Sequence, residues 1–215
     1  MNIFQIKCKP DGKDRLNEFI AENFLSIGWP FIGNLEGVGK EEIRERLLNV
    51  DEYKERYSKY ARTVSVDLGN IWAFVNTMRV GDIVLFQGHQ NNVHIVEVKS
   101  YEYVEKFDNN EGMCHQRKFS PLAIVLFEEL NSKLQELMRH RGTITKFKYP
   151  LEDAELDSLV GSQTDALHKE QAISSQSVPE KVIKQALEEL YSALHSEDLD
   201  KRFRAATEIL RYAKK

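Results

Sequence analysis

The chain has 215 residues, of which 41% are hydrophobic and 30% charged, and its formal net charge is -4. This composition is that of an ordinary globular protein with enough apolar residues for one large or two small domains. The slight negative charge excludes a general attraction to nucleic acid or anionic membranes, so any such contact must come from a local basic patch.

The cysteine pattern and the hydropathy of the chain bear on its location. Cys8 and Cys114 lie far apart and form neither a C-x-x-C motif nor a disulfide framework. Reduced cysteines are typical of the cytoplasm. The first residues contain no apolar run of signal-peptide length, and no run of about 18 apolar residues predicts a membrane span. We therefore expect a cytoplasmic protein with no membrane partner.

The first 68 residues predict a strand followed by helices. Alternating side chains predict a strand over residues 2–9, and Pro10 begins a turn. Asp14 can cap a first helix, whose apolar positions are Leu16, Phe19, Ile20 and Phe24. A loop rich in glycine and aromatic residues covers residues 27–39. Helices are predicted over residues 40–50 and 53–60, whereas residues 63–68 are expected to be extended or a loop.

The strongest β-forming sequence lies within residues 69–103. Apolar residues at helical spacing predict a helix that ends at Gly81, and the segments IVLFQ and VHIVEV then predict a hairpin. Residues 115–127 predict a strand pair or one long strand interrupted at Pro121. A helix over residues 130–138 and a short strand over residues 143–147 complete this part of the chain.

The composition changes after Pro150. Residues 151–178 are acidic and polar, as expected for a linker. Pro179 can open a helix, and the apolar spacing over residues 179–215 predicts a helical hairpin. Because a hairpin of this size buries little surface alone, we expect it to dock on the main domain, on a second copy of the chain or on a protein partner.

A tryptophan between glycines is the first candidate for a ligand contact. Gly28 and Gly33 flank Trp29 and lack side chains that would keep a ligand away from the backbone. Stacking of a base on an aromatic side chain contributes about 1–3 kcal/mol. Trp72 and Phe74 could form an opposite wall, although their helical spacing also fits plain core packing.

A nuclease-like arrangement is a second candidate. Asp82 begins one strand of the predicted hairpin, and Glu97 and Lys99 end the other, as in metal-dependent nucleases of the restriction type. A shift of one residue in the hairpin register decides whether the three side chains share a face. An ordinary turn and a solvated strand end are the alternative interpretation. Cys114 and His115 lack the spaced partners of a zinc site.

Basic residues form two clusters that could follow a phosphate backbone. Glutamates interrupt the cluster at residues 53–62, which favours a solvated helix face there. The cluster at residues 133–148 is more uniformly basic. Arg117 could hold a phosphate on the predicted strand after residue 115. The predicted backbone contacts are Lys118, Arg139, Arg141 and Lys146.

The order of these segments resembles the PUA-like domains, in the EVE and YTH neighbourhood, of bacterial restriction and phage-defence proteins. The motifs that carry the resemblance are IGWPFIGNL, GNIWAFVNTMRVGDIVLFQ, VHIVEVKSYEYV and HQRKFSPLAIVLF, within residues 1–150. The resemblance implies an α+β fold with a small, strongly bent β-barrel and rim helices, followed here by the helical hairpin. The chain departs from the family at Val96-Glu97-Val98, where relatives often have glycine.

The resemblance also implies a pocket for a base, modified or not, flipped out of nucleic acid. By position, its walls would be Ser26, Ile27, Trp29, and Trp72 or Phe74, with Arg117 near by. The resulting expectation is a non-catalytic module that binds DNA, RNA or a nucleotide without metal or cofactor, in bacterial defence. The alternatives are an adaptor that oligomerises or binds a protein partner through residues 179–215, and a metal-dependent nuclease.

Overall fold

A curled sheet that forms a half-barrel organises the part of the chain that the computed structural model describes, namely residues 1–160, 188–196, 198, 201, 202 and 206. Its strands are β1 (Ile3–Ile6), β2 (Phe24–Ile27), β3 (Ile83–Gln87), β4 (Asn92–Tyr103), β5 (His115–Leu126) and β6 (Ile144–Lys146). The order across the sheet is β2-β5-β4-β3-β1-β6. Its neighbours pair antiparallel except for β1 and β3, which run parallel. The predicted α+β class is confirmed.

Most of the helices precede β3. These are α1 (Leu16–Glu22), α2 (Lys40–Asn49), α3 (Asp51–Lys59) and α4 (Ala61–Trp72). Helix α5 (Ser132–Arg139) follows β5 instead. A π-helical segment, Ala73–Thr77, continues α4. The expectation of an extended segment or loop over residues 63–68 was wrong. Val64, Leu68 and Ile71 are all buried at helical spacing, so core packing favours a helix there.

Strand β2 was not predicted, because Phe24 was assigned to the first helix. Asn23 adopts a left-handed conformation with φ of 52° and ends α1. Phe24 then begins β2, and its ring packs 5.2 Å from that of Phe19. Antiparallel pairing of β2 with β5 fixes the end of β2. Gly28 and Trp29 therefore leave the sheet at a defined place.

The two faces of the sheet carry separate hydrophobic clusters. Alternation along β1 sends Phe4 and Ile6 to the first cluster and Ile3 to the second. The first cluster lies under α1–α4, and the second lies under α5. Both faces are buried at β3, whose first four residues, IVLF, are all apolar and buried.

Residues 115–126 form one long strand, which is one of the two predicted arrangements. Pro121 has no N–H to donate to a sheet neighbour. The pairing of β4 with β5 accordingly shifts register between Ile95 and Val96, where Val96 lies opposite Pro121. The irregularity accommodates the proline without ending the strand.

The folded part extends past the predicted domain boundary at residue 150. Leu151–Ala154 forms a 3₁₀ turn, and Ala154 is fully buried in the second cluster. Residues 151–160 are therefore structured instead of forming a linker, because their apolar side chains complete that core. Met1–Gln163 is one compact unit and Thr164–Lys215 is another.

The predicted hairpin over residues 179–215 belongs to the second unit. Residues 188–193, 201, 202 and 206 are helical, and most of its other positions, like residues 161–178 of the predicted linker, lie outside the described residues. Among the described helices, none is long and apolar enough to cross a membrane.

Candidate functional site

A cavity of about 350 Å³ lies where β1 and β2 end. Its walls come from the turn after β1 (residues 9–12), the loop after β2 (Gly28 and Trp29), α3 (Tyr53 and Arg56), α4 (Asp67) and the segment before β6 (Thr143). Small-molecule sites usually begin at about this volume. Five separate segments meet here, so the cavity depends on the tertiary fold.

The loop after β2 has an unusual backbone. Trp29 and Phe31 are both left-handed, with φ of 66° and 69°. Bulky side chains rarely adopt this conformation, and it persists where surrounding contacts hold it in place. Those contacts come from β5, from the loop after β4 and from α3.

A histidine of β5 forms a hydrogen bond to this loop. His115 is fully buried, and burial lowers its pKa to about 4, so the ring is neutral. The Tyr101 hydroxyl accepts from Leu35 N–H and donates to Nδ1 of His115 over 2.8 Å. Nε2 of His115 then donates to the Trp29 carbonyl over 3.2 Å. This chain of hydrogen bonds is satisfied only with the proton on Nε2.

Two further contacts hold the neighbouring residues of the loop. The Asp108 carboxylate accepts from Phe31 N–H and, over 2.5 Å, from the Tyr103 hydroxyl. The Tyr53 hydroxyl donates to the Pro30 carbonyl over 2.9 Å. Trp29 thus lies in the cavity wall on a loop whose backbone is held by three other segments, and pre-organisation of this kind favours tight and specific binding.

Gly28 is required by the close approach of the turn after β1. A Cβ atom added at Gly28 would lie 2.8 Å from the backbone nitrogen of Asp11. Real Cβ atoms do not approach a backbone atom so closely, so any side chain would push the two walls apart. The predicted role of Gly28 in a close backbone approach therefore concerns the protein's own chain.

The cavity contains a buried carboxylate beside a half-exposed guanidinium. The Asp67 side chain is 4% exposed, and that of Arg56 is 50% exposed. Asp67 accepts from the Tyr57 hydroxyl over 3.1 Å and from Nη2 of Arg56 over 3.1 Å at Oδ1 and 3.0 Å at Oδ2. Burial and the neighbouring carboxylate raise the pKa of Tyr57, so its hydroxyl stays protonated and donates. The wall thus offers both an acceptor and a donor.

The predicted ligand residues are divided by the structure. Trp29 lines the cavity. Ser26 and Ile27 are buried inside β2, where Ser26 Oγ donates to the Ile27 carbonyl over 3.2 Å. Trp72 is partly buried against the first hydrophobic cluster. Of the described residues that line the cavity, none is Ser26, Ile27 or Trp72.

Phe74 and Arg117 have structural positions that differ from the predicted ones. Phe74 is 0% exposed within the first cluster, so its ring cannot form the wall of an open pocket. The side chain of the buried Arg117 donates to four backbone carbonyl oxygens over 2.7–3.0 Å. Nε donates to that of Phe74, Nη1 to that of Lys99, and Nη2 to those of Val75 and Met78. Burial lowers its pKa to about 10, which leaves the guanidinium charged. Arg117 thus joins the π-helical segment to β4 and lies outside the wall of the cavity beside Trp29.

The register of the hairpin separates the residues of the nuclease-like arrangement. Val98 N–H donates to the Asp82 carbonyl, which puts Asp82 opposite Val98 and on the face away from Glu97 and Lys99. The Asp82 carboxylate accepts from Asn2 N–H over 2.6 Å, while Lys99 pairs with Glu97 over 2.5 Å. Within the described residues, no cluster of three acidic, histidine or cysteine side chains could hold a metal.

The residues predicted to contact a nucleic-acid backbone are all exposed. Three of them lie close in the sequence to Thr143, which lines the cavity. Arg139 ends α5, Arg141 follows it, and Lys146 ends β6, whereas Thr143 between them lines the cavity. Lys146 also lines a second cavity of about 170 Å³, which includes Lys133 and Lys148. Lys118 lies elsewhere on β5, with its Nζ 5.3 Å from the centre of the Phe24 ring.

Tyr53, Arg56 and Asp67 are among the cavity residues that were not predicted. The glutamates among residues 53–62 indicated a solvated face, and Asp67 fell in a segment expected to be irregular. A signal was present, because Tyr53 and Tyr57 have the four-residue spacing of one helix face. On α4, Asp67 lies three residues after Val64 and four before Ile71, so helical spacing places it beside these two buried residues.

These features define a small α+β half-barrel protein with a preformed cavity that has aromatic and charged walls. A family model described as Domain of unknown function (DUF8426) matches residues 5–147, and the chain belongs to that family. The matched range includes every cavity residue and ends before the Leu151–Ala154 turn. No curated protein and no solved structure gives a significant match.

Proposed function

We propose that the chain is a non-catalytic binding module that recognises a nucleic-acid base, modified or not, in the cavity beside Trp29. The observation that carries this proposal is the left-handed loop, held by hydrogen bonds from β5 and α3, that places Trp29 in the cavity wall. Holding an aromatic ring in place lowers the entropy lost when a flat ligand stacks on it. Stacking is worth about 1–3 kcal/mol for a base.

The chemistry of the walls suits a base better than a wholly apolar ligand. Trp29 and Tyr53 supply aromatic surface, whereas Arg56 and Asp67 supply a donor and an acceptor. A base has two apolar faces and a polar edge, and proteins that flip a base read that edge by hydrogen bonds. The resemblance of residues 1–150 to PUA-like domains supports the same ligand class, and the half-barrel is consistent with their bent barrel.

The basic residues next to Thr143 support a polynucleotide ligand, either DNA or RNA. Arg141 and Lys146 are exposed and have no ion-pair partner among the described residues. Cations that are not neutralised by the protein itself can contact phosphates and release counterions. We assign Arg139, Arg141 and Lys146 to the backbone, with Lys118 as a separate contact.

The proposed setting is a bacterial cytoplasm, in a restriction or phage-defence system. The setting rests on the family resemblance, and the location rests on the thiols. Cys8 and Cys114 are both free and buried, and burial raises the pKa of each to about 12. Such thiols are unreactive packing groups, as expected in a reducing compartment.

Tryptophan fluorescence provides a direct test. The chain has two tryptophans, so a Trp72→Phe variant leaves Trp29 as the only indole. We expect its emission to be quenched on titration with short single-stranded oligonucleotides carrying plain or modified bases. Trp29→Ala in the unaltered chain, measured by the fluorescence anisotropy of a labelled oligonucleotide, should weaken binding by about 5- to 150-fold, the equivalent of the lost stacking energy.

The Trp72→Phe variant is also the matched control, because Trp72 lies outside the cavity wall. It should bind as tightly as the unaltered chain. Equal affinity of the Trp29→Ala and unaltered proteins for every oligonucleotide tried would contradict the proposal. Circular dichroism of Trp29→Ala shows whether the variant keeps its fold during the comparison.

A second candidate is an adaptor that acts through a C-terminal helical hairpin. It is favoured by the division of the chain into two compact units, with Thr164–Lys215 separate from the half-barrel unit. Under this proposal, deletion of residues 165–215 abolishes self-association or partner binding and leaves the first unit folded. Sedimentation of both forms tests it, and a monomer before and after deletion, with no partner retained, would count against it.

A further inference from the structure

The cavity wall contains an acceptor that its protein partners do not fill. A carboxylate has about four lone-pair positions for hydrogen bonds. Asp67 uses one for the Tyr57 hydroxyl, and a single nitrogen of Arg56 bridges its two oxygens. Oδ1 therefore keeps acceptor capacity, and more becomes available if Arg56 moves. The Asp67 side chain is 4% exposed, so a ligand that brings no N–H donor would leave the remaining acceptor position of Oδ1 without water or a donor.

Arg56 can provide the donor next to that acceptor. Half of its side chain is exposed, while its Nη2 lies within hydrogen-bonding distance of both Asp67 oxygens. A small rotation would keep Nη2 on one oxygen and turn another N–H toward a ligand in the cavity. The wall then offers, side by side, one donor and the two oxygens of a carboxylate.

Among the common bases, one edge complements this order of groups. Guanine has the O6 acceptor next to the N1–H and N2–H donors, which can meet the two oxygens of a carboxylate together. Adenine and cytosine place a ring-nitrogen lone pair beside their amino group, and uracil and thymine place a carbonyl on each side of N3–H. Each of these would direct a lone pair at the buried carboxylate, which is unfavourable.

We propose that the cavity selects guanine, stacked on Trp29, with N1–H and N2–H donating to Asp67 and O6 accepting from Arg56. This inference rests on the proposed function, since it names the base for the same cavity. Tyr57 keeps its hydrogen bond to Asp67 and holds the carboxylate in place. The contacts are to the Watson–Crick edge, so the base must be unpaired when it binds.

A set of oligonucleotides that differ in one base tests the proposal. The probes are fluorescein-labelled oligothymidines with guanine, hypoxanthine, xanthine or adenine at one central position, and the signal is the fluorescence anisotropy of the label, which can be followed in every variant, including Trp29→Ala. Hypoxanthine lacks only the N2 amino group, and xanthine has a carbonyl there. We expect the guanine probe to bind more tightly than each of the other three by about tenfold or more, because it alone gives the charged acceptor both donors.

The Asp67→Asn variant should reverse part of this order. An amide presents one oxygen and one NH₂ group, so it can accept from N1–H and donate to the C2 carbonyl of xanthine. Binding of the guanine probe should fall by about tenfold or more and that of the xanthine probe should rise. Asp51→Asn is the matched control, because Asp51 is an exposed aspartate on α3, outside the cavity wall, and it should leave the order unchanged.

The possible failures are distinguishable. Equal binding of all four probes, with binding still lost in Trp29→Ala, would overturn guanine selection and leave the base-binding cavity standing. Binding that does not respond to Trp29→Ala, or no binding at all, would overturn both. If Asp67→Asn does not fold, the comparison of guanine with hypoxanthine in the unsubstituted cavity still decides, since equal affinity for these two contradicts the proposal.

Discussion

The imidazole of His115 donates from Nε2 to the carbonyl oxygen of Trp29, over 3.2 Å. The buried side chain of a sheet residue thereby holds the backbone of Trp29, which lines the cavity. The contact requires a neutral ring, since the Tyr101 hydroxyl donates to Nδ1 at the same time. A second proton on His115 would break this chain of hydrogen bonds and leave a charge in the core.

The first prediction concerns pH. The pKa of His115 is about 4 in the folded chain and near 6.5 when unfolded, so the unfolded state binds more protons between these values. The free energy of unfolding should therefore be highest above pH 6.5 and fall as the pH drops toward 4, by roughly 3 kcal/mol for this residue. Urea denaturation from pH 4 to 7.5 measures it.

The contribution of His115 is isolated by comparing variants. His115→Phe removes the titrating ring, so it should flatten the pH dependence relative to the unaltered chain, whatever its absolute stability. His89→Gln, at an exposed position, should leave that dependence nearly unchanged. Parallel curves for His115→Phe and the unaltered protein would show that His115 is not the titrating group.

The second prediction concerns Gly28. Its Cβ position lies 2.8 Å from the Asp11 nitrogen, so Gly28→Ala should displace the turn after β1 and lower stability by about 1–3 kcal/mol. Gly39→Ala is the matched control, because nothing lies within 4 Å of its Cβ position and its φ is -69°. Thermal or urea unfolding of the two variants measures the difference. Similar stability of both would contradict the close packing at Gly28.

The third prediction concerns Arg117. Arg117→Ala would leave four buried carbonyl oxygens without their donor, and each such group costs about 1–3 kcal/mol. We expect a loss of at least about 3 kcal/mol in the free energy of unfolding, while Lys118→Ala, at the exposed neighbouring position, should change it by less than about 0.5 kcal/mol. A well-folded Arg117→Ala that loses only nucleic-acid binding would instead restore the predicted phosphate role.

The fourth prediction concerns the basic residues beside Thr143. Changing Arg141 and Lys146 together to glutamine removes two exposed cations, so oligonucleotide affinity should fall. The slope of log affinity against log salt concentration should become shallower by about 1–2. Lys40→Gln, on α2, removes one exposed cation away from this segment and should leave the slope unaltered. An unchanged slope in the double variant would place the phosphates elsewhere.

Spacing in the sequence was sufficient for most of the individual helices and strands and for much of the core. Phe74 and Ile71 were read from helical spacing, and both are fully buried. Strand β2 was missed because Phe24 continued a helical pattern, and the left-handed turn at Asn23 that ends this helix leaves no periodic signal. The hairpin was predicted, but its register, and hence the face of Asp82, depends on packing that spacing does not specify.

The candidate site was harder to predict because its carboxylate is buried. Asp67 carries a charge, which in a sequence indicates surface, and only the folded chain provides the hydroxyl and the guanidinium that satisfy it. Trp29 could be selected because its glycine neighbours are local in sequence. Tyr53 and Asp67 reach the same cavity from two different helices, and no local pattern links either to Trp29.

The position of β1 in the sheet has a consequence for how the protein folds. β1 lies between β3 and β6, and Phe4 pairs with Val84 on one side and Lys146 on the other. The N-terminal strand therefore cannot be completely paired until nearly the whole half-barrel has been synthesised. Contacts between segments so distant in sequence slow folding. We expect the nascent chain to keep an unpaired sheet edge, and to need protection from aggregation, until β6 leaves the ribosome.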